Sequence, residues 1–173
     1  MKTRRRLMPL SMTKDTQTLQ GLDHVLAKLR ALPPEIASKR GGPVKAALRK
    51  GAVVIQKEAQ ANIRKVTQNT EASGYVSTKT LEKAVVVRRD PNPQKSGANE
   101  RYRVMISRKK YEGSDTKAVA TGRWLEFGSE HQKAEPWMTP AFMSTRQKAL
   151  DTVVLELNKG IDRAIKKISK GAR

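Results

Sequence analysis

The longest periodic pattern in the chain sets the first limit on what it can fold into. Apolar residues recur at Met143, Leu150, Val153, Val154, Leu157, Ile161, Ala164, Ile165 and Ile168, opposed by Lys148, Lys159, Lys166 and Lys167. That is the three-and-four spacing of one helical face, held for about seven turns. A helix with so long an apolar stripe is stable only against another surface, and the rest of the chain must supply one. Gly160 lies on this helix as a candidate bend.

A second stripe opens after Gly41-Gly42-Pro43, with proline favourable at a first helical position. It runs through Val44, Ala47, Leu48, Gly51, Ala52, Ile55, Ala59, Asn62, Ile63 and Val66. Its first half is mostly alanine and glycine, which admits close approach of another backbone, from the domain's own sheet or from a neighbouring subunit. A shorter stripe, Leu19 to Leu32, stops at Pro33-Pro34.

Between the two long stripes the period changes. Ala84 to Arg89 and Arg101 to Ser107 carry the β-branched content and alternation of strands, joined by the turn-forming segment Asp90 to Asn99. The spacing predicts an antiparallel hairpin with a projecting tip, flanked by polar connections over Thr67–Thr80 and Lys109–Lys117. The expected architecture is α+β: N-terminal helices, a small antiparallel sheet over residues 84–89 and 101–107, and the long C-terminal helix packed across it. Residues 18–168 form one domain, with a basic arm over 1–17 and a basic tail over 169–173.

Aromatic residues are scarce, 4% of the chain, yet both tryptophans and both phenylalanines fall within Gly122 to Phe142. Trp124, Leu125 and Phe127 read as a short apolar strand or turn. Gly128 follows, able to take a positive φ, and Pro140 suits the first turn of the long helix with Thr139 as its cap. Trp124, Phe127, Trp137 and Phe142 then serve either as core anchors or as contacts to other subunits. Glu126 is expected to be a partly buried acceptor, for an arginine or for backbone N–H groups of a turn.

The order of residues here, Leu125-Glu126-Phe127-Gly128-Ser129 and then Ala134-Glu135-Pro136-Trp137-Met138-Thr139-Pro140-Ala141-Phe142, resembles the tail-component family of long-tailed bacteriophages. Where members of that family carry Thr-Gly-Leu ahead of the first strand, this chain has Thr80-Leu81. The resemblance implies a structural virion protein: a ring of six or twelve copies in the neck, or a tail-completion component. It would join the portal side of the head to the tail around the DNA path, after assembly in the host cytoplasm.

Charge bears on partners. Lysine and arginine outnumber aspartate and glutamate by 36 to 16, and the net +20 divides as +9 over residues 1–50, +3 over 51–100 and +8 over 101–173. A balance of this kind points to a polyanion, so the alternative function is sequence-nonspecific nucleic-acid binding. Candidate contacts to DNA or an acidic partner are Arg4, Arg5, Arg6, Arg108, Lys109, Lys110, Lys166, Lys167 and Lys170, although the last three also suit a helix C-terminus on electrostatic grounds alone.

Other chemistries find little support. There is no cysteine, which removes disulfides and thiolate sites, and apolar runs stop at four residues, far short of the roughly 20 of a membrane span. Glu126, Glu130 and Glu135 beside His131 are the one carboxylate cluster next to a histidine, without a metal-ligand spacing or nucleophile motif. The chain is read as a non-enzyme with no cofactor and no membrane association.

Overall fold

The computed structural model describes Ala27, residues 42–71 and residues 78–171. Helix α1 spans Gly42–Glu71 and is followed by a short helix α2, Thr80–Ala84. Strand β1, Val85–Arg89, leads through a 3-10 turn at Pro93–Ser96 into β2, Tyr102–Ile106. Helix α3 covers Ala118–Phe127, and α4 covers Met138–Gly171. The architecture is α+β as expected. The Leu19–Leu32 stripe and the basic arm lie outside the described residues, apart from helical, exposed Ala27.

Helix α1 is the hub. The two strands pair antiparallel, Val85 with Ile106, Val87 with Val104 and Arg89 with Tyr102, and the alternation turns Val85, Val104 and Ile106 inward while Arg88, Arg101 and Arg103 stay exposed. The sheet packs on α1, whose Gln56 and Gln60 side chains donate to the Val85 carbonyl oxygen (2.8 and 3.3 Å). Glu100 holds both Arg89 and Lys45 (2.7 and 3.5 Å), tying the end of the hairpin to the start of α1.

The C-terminal helix packs chiefly along α1, where the sequence placed it across the sheet. The two run antiparallel, with Gly160 against Pro43, Lys50 paired to Glu156, Gly51 against Val153 and Asn62 at Trp137. Small residues decide this. A Cβ on Gly51 would stand 2.4 Å from Val153 Cγ2 and 2.9 Å from the Ala149 carbonyl oxygen, so the alanine-glycine face of α1 receives α4 of its own chain. Gly160 likewise serves a close approach, since a Cβ there would sit 2.6 Å from Pro43 Cβ.

Burial divides into two clusters. Ala47, Leu157 and Ile161 seal the α1–α4 pair at one end. At the other, Ala59, Ile63, Leu81, Val85, Leu125 and Trp137 belong to a core where α1, the sheet, α3 and the start of α4 meet.

Three local expectations change. Thr67–Glu71 are helical, continuing α1 instead of opening a loop. Leu81–Ala84 belong to α2, because Leu81 and Ala84 three residues apart bury on one helical face. The hairpin tip folds back: Pro93 and Asp90 are buried, and Asp90 accepts the Asn92 N–H (3.1 Å) and faces Arg103 at 3.5 Å.

Candidate functional site

The Trp124–Phe127 segment is helical, in contrast to the strand or turn expected from its apolar run. The ten residues of α3 are mostly good helix formers, and Gly122 lets the helix lie close on the sheet. A Cβ at Gly122 would fall 2.2 Å from Ile106 Cδ1 and 3.2 Å from Leu81 Cδ1. Leu125 and Glu126 turn inward, while Arg123, Trp124 and Phe127 turn outward.

Gly128 ends the helix at φ 79° and ψ 176°, donating its N–H to the Trp124 carbonyl oxygen (2.7 Å). The chain then makes a small loop closed by the Ser129–Gln132 bridge and returns, Glu135 N–H donating to the Leu125 carbonyl oxygen at 2.7 Å. This return brings the start of α4 onto the end of α3.

Glu126 stands at the joint. One carboxylate oxygen accepts the backbone N–H groups of Trp137 and Met138, both at 2.8 Å, and the other accepts the N–H of Thr139 at 3.0 Å together with its hydroxyl. These are the first N–H groups of α4, which no carbonyl within the helix can reach, and Pro140 next in line has none to satisfy. The cap expected from Thr139 comes instead from Glu126, because Thr139 lies inside the first turn and its own N–H needs an acceptor. Burial pushes the Glu126 pKa up, but the Thr139 hydroxyl and the Met138, Trp137 and Thr139 N–H donors outweigh it and hold the carboxyl below the ordinary glutamate range.

Trp137 locks the same joint. It is 3% exposed; its indole N–H donates to the Gly122 carbonyl oxygen at 2.9 Å, and its own carbonyl accepts the Asn62 side chain at 3.1 Å. The remaining aromatics are not core anchors. Trp124, Phe127 and Phe142 are 45%, 75% and 49% exposed, since the core at this end is filled by Leu125, Trp137 and Ala141. Pro136 is exposed at the turn into α4.

A chain whose two longest helices, hairpin and capped aromatic joint are arranged in this way can be compared with known proteins. The HK97-gp10-like model of bacteriophage tail components matches residues 23–128. The chain belongs to that family. The match takes in α1, the hairpin and α3 and ends at Gly128, so the second half of the aromatic motif and α4 lie beyond it. No curated protein and no solved structure matches.

The carboxylates of this tail component are already engaged or dispersed. Glu126 is committed to α4, whereas His131 and Glu135 line a groove of about 520 Å³ with Ile63, Leu81, Tyr111 and Leu125. Among the described residues no cluster of three or more histidine or acidic side chains could hold a metal, and no helix is long and apolar enough to cross a membrane.

The basic candidates do not form one patch. Arg108 and Lys109 are exposed after β2, Lys110 pairs with Asp115 at 2.7 Å, and Lys166 lies exposed near the end of α4. Arg4, Arg5, Arg6 and the side chains of Lys167 and Lys170 lie outside the described residues.

Proposed function

We propose that this tail component forms a homo-oligomeric ring, of six or twelve copies, in the neck or at the end of the tail. There it joins the tail to the head proteins on the portal side, around the DNA path. The observation carrying this reading is the rigid display of aromatics. A protein with so few large side chains leaves Trp124, Phe127 and Phe142 largely in solvent on elements fixed to each other by Glu126 and Trp137. Exposed aromatics on a rigid frame suit protein contacts, and family membership supplies the setting. The excess positive charge supports nonspecific contact with the genome as it passes.

The test is a phage carrying Trp124→Ala with Phe127→Ala. Both side chains are solvent-exposed, so the subunit keeps its fold. Electron microscopy of lysates should show DNA-filled heads and tails that fail to join, whereas Glu130→Gln should give normal particles. Infectious, fully tailed particles from the double variant would overturn the reading.

A further inference from the structure

The chain exposes apolar groups in two places, and the charges around them differ. On α3, Trp124 and Phe127 are three residues apart and so share a face, with Arg123 one turn from Phe127. Arg123 is exposed and has no ion-pair partner among the described residues. On α4, Leu155 and Ile165 are 54% and 52% exposed. At about 100° per residue, Asp151, Leu155, Asp162 and Ile165 fall within about 80° of one another.

The two aspartates are the informative part. Lysine and arginine exceed acidic residues 36 to 16, and Glu82, Asp90, Glu100, Asp115 and Glu156 each hold one. Asp151 accepts only from Gln147, and neither Asp151 nor Asp162 makes an ion pair among the described residues. In so basic a chain, acids flanking exposed leucine and isoleucine without a cation suit a cation brought by another molecule.

The α3 face offers what that surface lacks: flat aromatic area and a free guanidinium. Both cannot meet within one subunit, because α3 abuts the first residue of α4 and Ile165 lies about 40 Å further along that helix at 1.5 Å per residue. We infer that the Arg123-Trp124-Phe127 face of one copy docks on the Leu155–Ile165 face of α4 in the next copy, with Arg123 meeting Asp151 or Asp162. The inference rests on the ring reading and names the two surfaces that build it. Contact between unlike surfaces leaves one of each free at the ends of an open row, so every face is satisfied only when the row closes.

Light scattering on the purified full chain tests this. The wild type should be a closed assembly of more than two copies, and Phe127→Asp and Leu155→Arg should each reduce it to monomer with little change in melting temperature. Mixed in equal amounts, the two variants should recover a one-to-one dimer and nothing larger, because each retains one intact face. A wild-type ring that survives both substitutions overturns the contact and leaves the ring standing, and failure of the mixture to pair overturns the matching of these two faces. Open filaments lost in both variants keep the contact and overturn closure. A wild type that stays monomeric overturns contact and ring together.

Discussion

Glu126 and Thr139 are thirteen residues apart, and one carboxylate oxygen of the first accepts both the N–H and the hydroxyl of the second. The last turn of a ten-residue helix thereby caps the first turn of a 34-residue one. The direction in which α4 leaves the joint is set by a side chain outside α4, which makes the joint a stability element with measurable consequences.

Removing the acceptor should be costly. Glu126→Ala strands N–H groups at a site only 8% exposed, with an expected loss of about 2–4 kcal/mol, and Glu126→Gln, which keeps one acceptor oxygen, about half that. Urea denaturation of the three proteins measures both steps.

The same joint should weaken in acid. The folded pKa of Glu126 is depressed, so its contribution is fully present above the unfolded value of about 4.3 and is lost as pH falls through the folded value. Glutamine does not titrate there. The stability gap between wild type and Glu126→Gln should therefore narrow as pH drops below about 4, as thermal melts at several pH values would show. A gap that widens in acid would contradict the assignment of charge to Glu126.

Gly128 should resist replacement where Gly97 does not. Both have positive φ, but a Cβ at Gly128 meets the backbone of Gln132 and Ala134 at 3.1 Å, and at Gly97 it meets nothing within 4 Å. The Gly128 conformation, φ 79° with ψ 176°, is one that side-chain-bearing residues essentially avoid. Gly128→Val should cost about 3 kcal/mol or more, and Gly97→Ala about 1.

Truncating Trp137 to alanine should cost about 3–5 kcal/mol. Trp137→Phe keeps most of the buried ring and strands the Gly122 carbonyl, for a loss of about 1–2 kcal/mol. Equal losses in the two variants would mean that the hydrogen bond, not the packing, holds the joint.

DNA binding, if measured on two unrelated duplexes, should show no sequence preference and a steep fall with salt. Six or more phosphate contacts correspond to about a thousandfold loss between 50 and 200 mM. A marked preference for one duplex, or indifference to salt, would exclude an electrostatic contact of this kind.

Much of the fold was legible because it rests on local periodicity. The stripes from Val44 to Val66 and from Met143 to Ile168 each specify a helix within a few residues, and both strands were found to within a residue at either end. Positive φ at Gly128 and the place of Pro140 in a first turn also follow from local steric rules. Trp124 to Phe127 misled because a short apolar run has no period of its own. Four residues fit a strand or a helix equally, and the choice fell to Gly122, whose missing side chain matters only once Ile106 is beside it.

Sequence by itself determined which segments are helical, where the hairpin falls and that residues 122–142 hold the scarce aromatics. Tertiary structure alone decided what each apolar face meets: α4 lies on α1 because Gly51 and Gly160 allow backbones together that larger residues would hold apart. It also decided that Trp137 is buried while Trp124 and Phe127 are not. Periodicity records that a residue has a partner but not which partner, since contacts between residues far apart in the chain leave no spacing to read. The capping of α4 by Glu126 is of that kind: its acceptor and its donors come together only when the intervening loop has folded back.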